Sequence, residues 1–192
     1  ILSSIIAVIL GLLSSFNKYF DTFVSWIVDL FLSVPHILAI ILISIALGGG
    51  AFGVTVGVAL THWTSLTRVL RAEIKQIQTS EYVKLSKNLG KSKLWIATKQ
   101  ILPLIVSQII VGTILIFPHA IMHEASVTFL GFGLSPHEPA IGVILSESMK
   151  YLATGNWWLA LFPGLSLLII VLLFDIVGEN IKKLLNPASA NN

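Results

Sequence analysis

Apolar residues along this chain come in long blocks rather than short alternating runs. The blocks are roughly 17 to 25 residues, the length an α-helix needs to cross about 30 Å of hydrocarbon, whereas the strands of a membrane barrel would alternate. The first is Ile1 to Leu13, closed by Ser14, Ser15, Asn17 and Lys18. A second runs from Thr22 to Ala46 and contains Asp29, Pro35 and His36. Because a proline removes a backbone hydrogen bond, this block is expected to bend. Gly48, Gly49 and Gly50 turn the chain into a third block, Phe52 to Leu70, which carries His62 and Trp63. The fourth, Leu104 to Leu130, holds Pro118, His119, His123 and Glu124, and the fifth starts at the interfacial pair Trp157 and Trp158 and ends near Val177. The pattern predicts an all-α, polytopic membrane protein of about five spans, the first partial.

Composition agrees: hydrophobic residues make up 55% of the chain and charged residues 11%, with a mean hydropathy of +0.91, outside the soluble range. The absence of cysteine excludes disulfides, thiolate metal sites and cysteine nucleophiles. The chain starts at Ile1, inside an apolar run and without a signal-peptide pattern, so an N-terminal part is expected to be missing. A single transmembrane domain is expected over 1–186, followed by a disordered tail, 187–192.

Charge sets the orientation. Arg68, Arg71, Lys75, Lys84, Lys87, Lys91, Lys93 and Lys99 fall between the third and fourth blocks, and Lys182 and Lys183 follow the fifth. Two crossings separate these regions, so both lie on one side, and lysine and arginine near span ends favour the cytoplasm. The segment 72–102 is then cytoplasmic. The segment 131–156, with Lys150 against Glu138 and Glu147 and an amphipathic piece at Ile141 to Leu152, is extracytoplasmic. The same parity puts Ile1 outside, which again implies an earlier span.

Thr79 to Pro103 is a basic, polar island in this apolar chain. Ser80 can cap a helix whose first turn holds Glu81. Val83, Leu85 and Leu89 form an intermittent apolar stripe, with Lys84 and Lys87 in solvent. Gly90 is a natural helix stop. Ser92 can cap a second short helix with Leu94, Trp95 and Ile101 as apolar positions, before Pro103 marks the start of the fourth span. From spacing alone, an ordinary amphipathic cytoplasmic loop fits equally well.

The island resembles the EAA loop of permease subunits in binding-protein-dependent ABC importers, where a glycine precedes a Leu-Pro pair whose proline follows it by thirteen residues, as Gly90, Leu102 and Pro103 do here. Lys84, Leu85 and Ser86 occupy the Glu-Ala-Ala positions of that pattern. TRVLRAEIKQIQTSEYVKLSKNLG is similar to the dipeptide, oligopeptide and nickel branch, and HEASVTFLGFGLSPHEPAIGVILSESMKYL and NWWLALFPGLSLLIIVLLFDIVGENIKKLLNP resemble the C-terminal half of its second permease subunit. HEAS and PAIGVILSESM are closer to the nickel or metallophore permeases. The resemblance implies a multi-pass prokaryotic inner-membrane subunit forming half of a pathway for nickel or a metal chelate, with dipeptides or oligopeptides as the alternative cargo. It implies a second permease subunit, two ATP-binding subunits that use ATP and Mg, and an extracytoplasmic binding protein, with no nucleic-acid partner and no cofactor on this chain. The residues implied to meet the ATPase are Glu81, Tyr82, Leu85, Ser86, Leu89 and Gly90, with Leu102 and Pro103 completing the motif.

Ionisable residues inside a span are costly and suggest function. His119 and His123 share a helical face, with Glu124 adjacent. They can line a polar pathway, ligate a transition metal, or serve as structural hydrogen-bonding groups, and no metal ligand is assigned. Asp29 and His36, seven residues apart, would share a face of a regular helix; both are pathway candidates, although a packing role is favoured for them and for His62. His137 and Glu138 can meet an extracytoplasmic protein or solvent. There is no GxxxxGK[ST] phosphate loop, so no ATPase is expected in this chain, and HEASV lacks the second histidine of HExxH, which disfavours an intramembrane metalloprotease. A channel working without ATP is a further alternative.

Overall fold

The computed structural model describes residues 1–185, and the tail at 187–192 lies outside them. All regular structure among the described residues is helical. The first block forms α1 (Leu2–Ser14), and the second forms two helices, α2 (Lys18–Ser33) and α3 (His36–Ala46). The expected bend is thus a full break. Pro35 disfavours a helical backbone at Val34 and itself sits at φ −56°, ψ 127°, so α3 has to start afresh at His36.

The third block lies in α4 (Gly50–Gln78), which runs well past Leu70. Its extension is built from good helix formers, and Leu70, Ile74 and Ile77 on one stripe are buried. After α5 (Glu81–Asn88) come α6 (Lys93–Ile96), a π-helical turn (Ala97–Ile101) and α7 (Leu102–Phe129), which together make one helix from Lys93 to Phe129. The expected amphipathic piece is α8 (Ile141–Leu152), and α9 (Trp158–Leu185) covers the fifth block.

By length and apolarity, the Lys93–Phe129 helix and α9 are each able to cross a bilayer, and α2 with α3 makes a third, broken candidate. A helix stands at each of the five expected positions, but α1 has only 13 residues and α4 carries His62, Arg68 and Arg71. Phe162, Leu168, Ile169, Leu173 and Ile176 of α9 are each more than half exposed, the surface of a helix made to face lipid or another subunit.

Contacts divide the chain into two compact units: Ile1–Ser33 with His62–Thr113 and the chain from Ile181, and Val34–Thr61 with Ile114–Asn180. In the first, α1 buries a stripe of small residues, Ser3, Ser4, Ala7, Gly11 and Ser14. Small side chains allow close approach between membrane helices; a Cβ on Gly11 would sit 3.4 Å from Leu70 Cβ, and Thr113 Oγ1 lies 2.9 Å from Ser4 Oγ. In the second unit, Ile40 of α3 packs with Val54 of α4 and Val127 of α7. Gly57 permits that approach, since a Cβ there would come within 3.0 Å of the Ile40 carbonyl oxygen.

Candidate functional site

The polar island folds as a helix, a turn and a second helix. α5 ends in a left-handed turn at Gly90, φ 77°, where the Gly90 N–H donates to Lys87 O (3.0 Å) and the Lys91 N–H to Ser86 O (3.1 Å). These are the two crossed hydrogen bonds of a Schellman motif, and glycine alone reaches that backbone without a Cβ penalty. Ser92 caps α6 by accepting the Trp95 N–H at 3.2 Å. Ser80 occupies the N-cap position of α5 without capping it, because its hydroxyl donates back to Ile77 O at 2.5 Å.

The faces of α5 differ from the expected apolar stripe. Val83 and Ser86 are buried, while Tyr82, Leu85 and Leu89 are exposed by 45%, 59% and 69%. Positions 82, 85 and 89 follow helical spacing, so they form one outward apolar ridge, flanked by an exposed Glu81–Lys84 ion pair at 2.9 Å. Ser86 faces inward and accepts a 2.6 Å hydrogen bond from Gln100 Nε2. In the second helix the buried positions are Ile96, Ala97 and Ile101; Leu94 and Trp95 are exposed, with Lys91 Nζ 5.1 Å from the centre of the Trp95 ring.

Pro103 does not begin a helix, as the sequence pattern suggested; the helix passes through it. Pro103 has no N–H to give, and its ring crowds the carbonyl one turn earlier. The π-helical turn at Ala97–Ile101 widens the backbone immediately before it, a register change often found at functional positions. Leu102 is half-buried and Pro103 exposed.

Two sets of ionisable residues, one at the ends of the second and third blocks and one within the second and fourth, have opposite surroundings. Arg71 of α4 is buried and donates from Nε to Asp21 Oδ1 (3.0 Å) and from Nη2 to the same oxygen (2.5 Å), to Asp21 O (3.1 Å) and to Ser25 Oγ; Lys75 Nζ completes the cluster at 2.9 Å from Asp21 Oδ2. Arg68 pairs with Asp29 at 3.0 Å in an exposed bridge. Asp29 therefore belongs to an ion pair on α2, and the break at Pro35 puts His36 on another helix, so the two share no helical face. Spacing could not reveal Asp21, whose partner lies 50 residues away.

Within the second unit, the His36 and His123 rings meet edge to face with centres 6.1 Å apart. His119 Nδ1 lies 3.0 Å from Leu115 O on its own helix, and Glu124 Oε1 accepts from Thr128 Oγ1 at 2.8 Å. His119 and Glu124 thus turn to α7 itself rather than converging with His123. Among the described residues no group of three histidine or carboxylate side chains is placed to hold a metal ion. His62 is buried on α4. In the 131–156 segment, Glu138 Oε2 accepts the Ser135 N–H at 2.9 Å. Lys150 donates to Glu147 at 2.7 Å, a hydrogen bond that raises its pKa above the usual lysine value, helped by the carboxylate charge.

The regular structure of the described residues is thus all helical, with two helices long and apolar enough to cross a bilayer and a polar helix–turn–helix leading into the first of them. The chain belongs to the family described as binding-protein-dependent transport system inner membrane component, whose profile matches residues 3–189. It is similar to the dipeptide transport system permease protein DppC of Bacillus subtilis, 29% identical over 167 residues, with 87% of this chain and 52% of the relative covered. The oligopeptide transport system permease protein OppC of the same organism is 30% identical over 188 residues, covering 97% of this chain and 61% of the relative. DppC of Haemophilus influenzae is 31% identical over 179 residues, 93% of this chain and 60% of the relative. The chain thus spans between half and two thirds of the length of these relatives.

Proposed function

We propose that this chain is a permease subunit of an ATP-driven importer for short peptides and that it engages its ATPase through α5. The observation that carries the reading is the exposed ridge of Tyr82, Leu85 and Leu89 on a short helix stopped by Gly90, within a chain of this transport family. An amphipathic helix presenting anchors at i, i+3 and i+7 suits a groove on a partner. Closure of two ATPase subunits around ATP and Mg would then push α5, and α5 would move the long helices attached to it.

Peptide replaces nickel or a metallophore as the favoured cargo. The relatives named above carry dipeptide and oligopeptide permease names, and His119, His123 and Glu124 are not gathered as a three-ligand metal site. His36, His119 and His123 remain pathway-lining candidates through the polar edges they add to the second unit. Under this reading five crossings of a prokaryotic inner membrane, a second permease subunit and an extracytoplasmic binding protein complete the system. The chain itself binds no nucleotide.

The test is uptake in proteoliposomes holding the full-length subunit with its neighbouring-gene partners, loaded internally with ATP and Mg. Labelled dipeptide should accumulate and labelled nickel should not. Nickel accumulation without dipeptide would restore the metal reading, and ATP-independent flux would point to a channel.

A further inference from the structure

Ser86 stands among the residues expected to touch an ATPase, yet its side chain points the other way. It is 9% exposed, its hydroxyl accepts from Gln100 Nε2 at 2.6 Å, and its carbonyl accepts the Lys91 N–H that closes the Gly90 turn. We infer that Ser86 and Gln100 form the joint through which α5 passes its movement to α7, an inference that rests on the importer reading above.

Three observations converge on this. First, α5 is two-sided: its outer ridge is free for a partner, while Val83 and Ser86 are its buried positions. The side-chain hydrogen bond that Gln100 donates to Ser86 bridges 14 residues, whereas the Glu81–Lys84 bond stays within α5. Second, Gln100 lies in the π-helical turn of a helix that continues unbroken to Phe129. A push received at Ser86 therefore enters this helix directly at Gln100, bypassing the Leu89–Ser92 turn. Third, the joint leaves one acceptor, the buried Gln100 Oε1, without a protein donor among the described residues. An unsatisfied buried acceptor costs stability that an aliphatic side chain at the same place would not. A polar group kept at that cost fits a positioning role better than a packing one.

The experiment uses the complete reconstituted complex and reads two quantities, ATP hydrolysed and peptide transported, with the amount of bound ATPase subunit measured alongside. For Ser86→Ala and for Gln100→Leu, ATPase binding should equal wild type while peptide moved per ATP falls about threefold to tenfold, the range expected for loss of one side-chain hydrogen bond. The double variant should fall no further than either single one, because both remove the same bond. Ser86→Cys with Gln100→Cys, joined by a short thiol-reactive linker in a complex cleared of any other cysteines, should keep the wild-type ratio, since the joint stays closed throughout the cycle. Wild-type coupling in either single variant, multiplied losses in the double one, or loss of transport on cross-linking would overturn the joint. Failure of the unaltered complex to move peptide with ATP would instead overturn the importer reading.

Discussion

The α5–α6 segment and the α2–α4 ion-pair cluster are both polar regions of a hydrophobic protein, but they are held in place by different means. In the first, the hydrogen bonds that fix the turn are local: Ser92 caps α6, and Gly90 and Lys91 close onto α5 within five residues. In the second, Arg71 reaches Asp21 and Ser25 across 50 and 46 residues of chain. Local bonds set the shape of a small element while leaving its outer face open, which suits a docking helix. The long-range cluster neutralises buried charge and ties α2 to α4, with Arg71 and Asp21 turned to each other and Lys75 alone of the three largely exposed.

Asp21→Ala should give the largest effect, because it strands a buried guanidinium. A loss of about 3 to 5 kcal/mol is expected for breaking a buried pair, seen as collapse of the folded fraction in detergent denaturation. Gly90→Val comes next, with a local strain of about 1 to 2 kcal/mol from forcing a β-branched residue to positive φ. Its signature is separable: the complex should assemble, yet peptide uptake should fall far more than stability does. Ser92→Ala removes one cap and should cost about 1 kcal/mol, read as faster amide exchange confined to α6 and the adjoining turn. The smallest change is expected for Asp29→Ala, since the Asp29–Arg68 bridge is exposed and such pairs are worth about 0.2 to 1 kcal/mol. Were Asp29→Ala to rival Asp21→Ala, the contrast between buried and exposed charge would fail.

The same contrast explains what could be read from the sequence. Gly90, Ser92 and the two helices around them were legible because glycine, serine and proline act within a few residues of themselves. Block length gave the helices of the long blocks, and α8 falls where its amphipathic pattern put it. Ser80 shows where local rules run out: it stands at the N-cap position, but its hydroxyl chooses Ile77 O. Leu85 and Leu89 carry the apolar character of a buried stripe, yet lie outside, since period alone cannot say which face has a partner. The supposed shared face of Asp29 and His36 assumed one helix through Pro35, and the break removed it. Asp21 and Gln100 were missed because each is defined by a partner distant in sequence. Gln100 left one faint sign, a lone amide between Ala97 and Ile101 just before Leu102 and Pro103.

The outward ridge of α5 is most directly tested by Leu85→Glu in the full-length complex, with retention of the ATPase subunit measured by co-purification. Leu85 is 59% exposed, so the substitution should leave folding and pairing with the second permease subunit unchanged while the ATPase is lost. Retention of the ATPase at the wild-type level, with uptake intact, would contradict docking through α5.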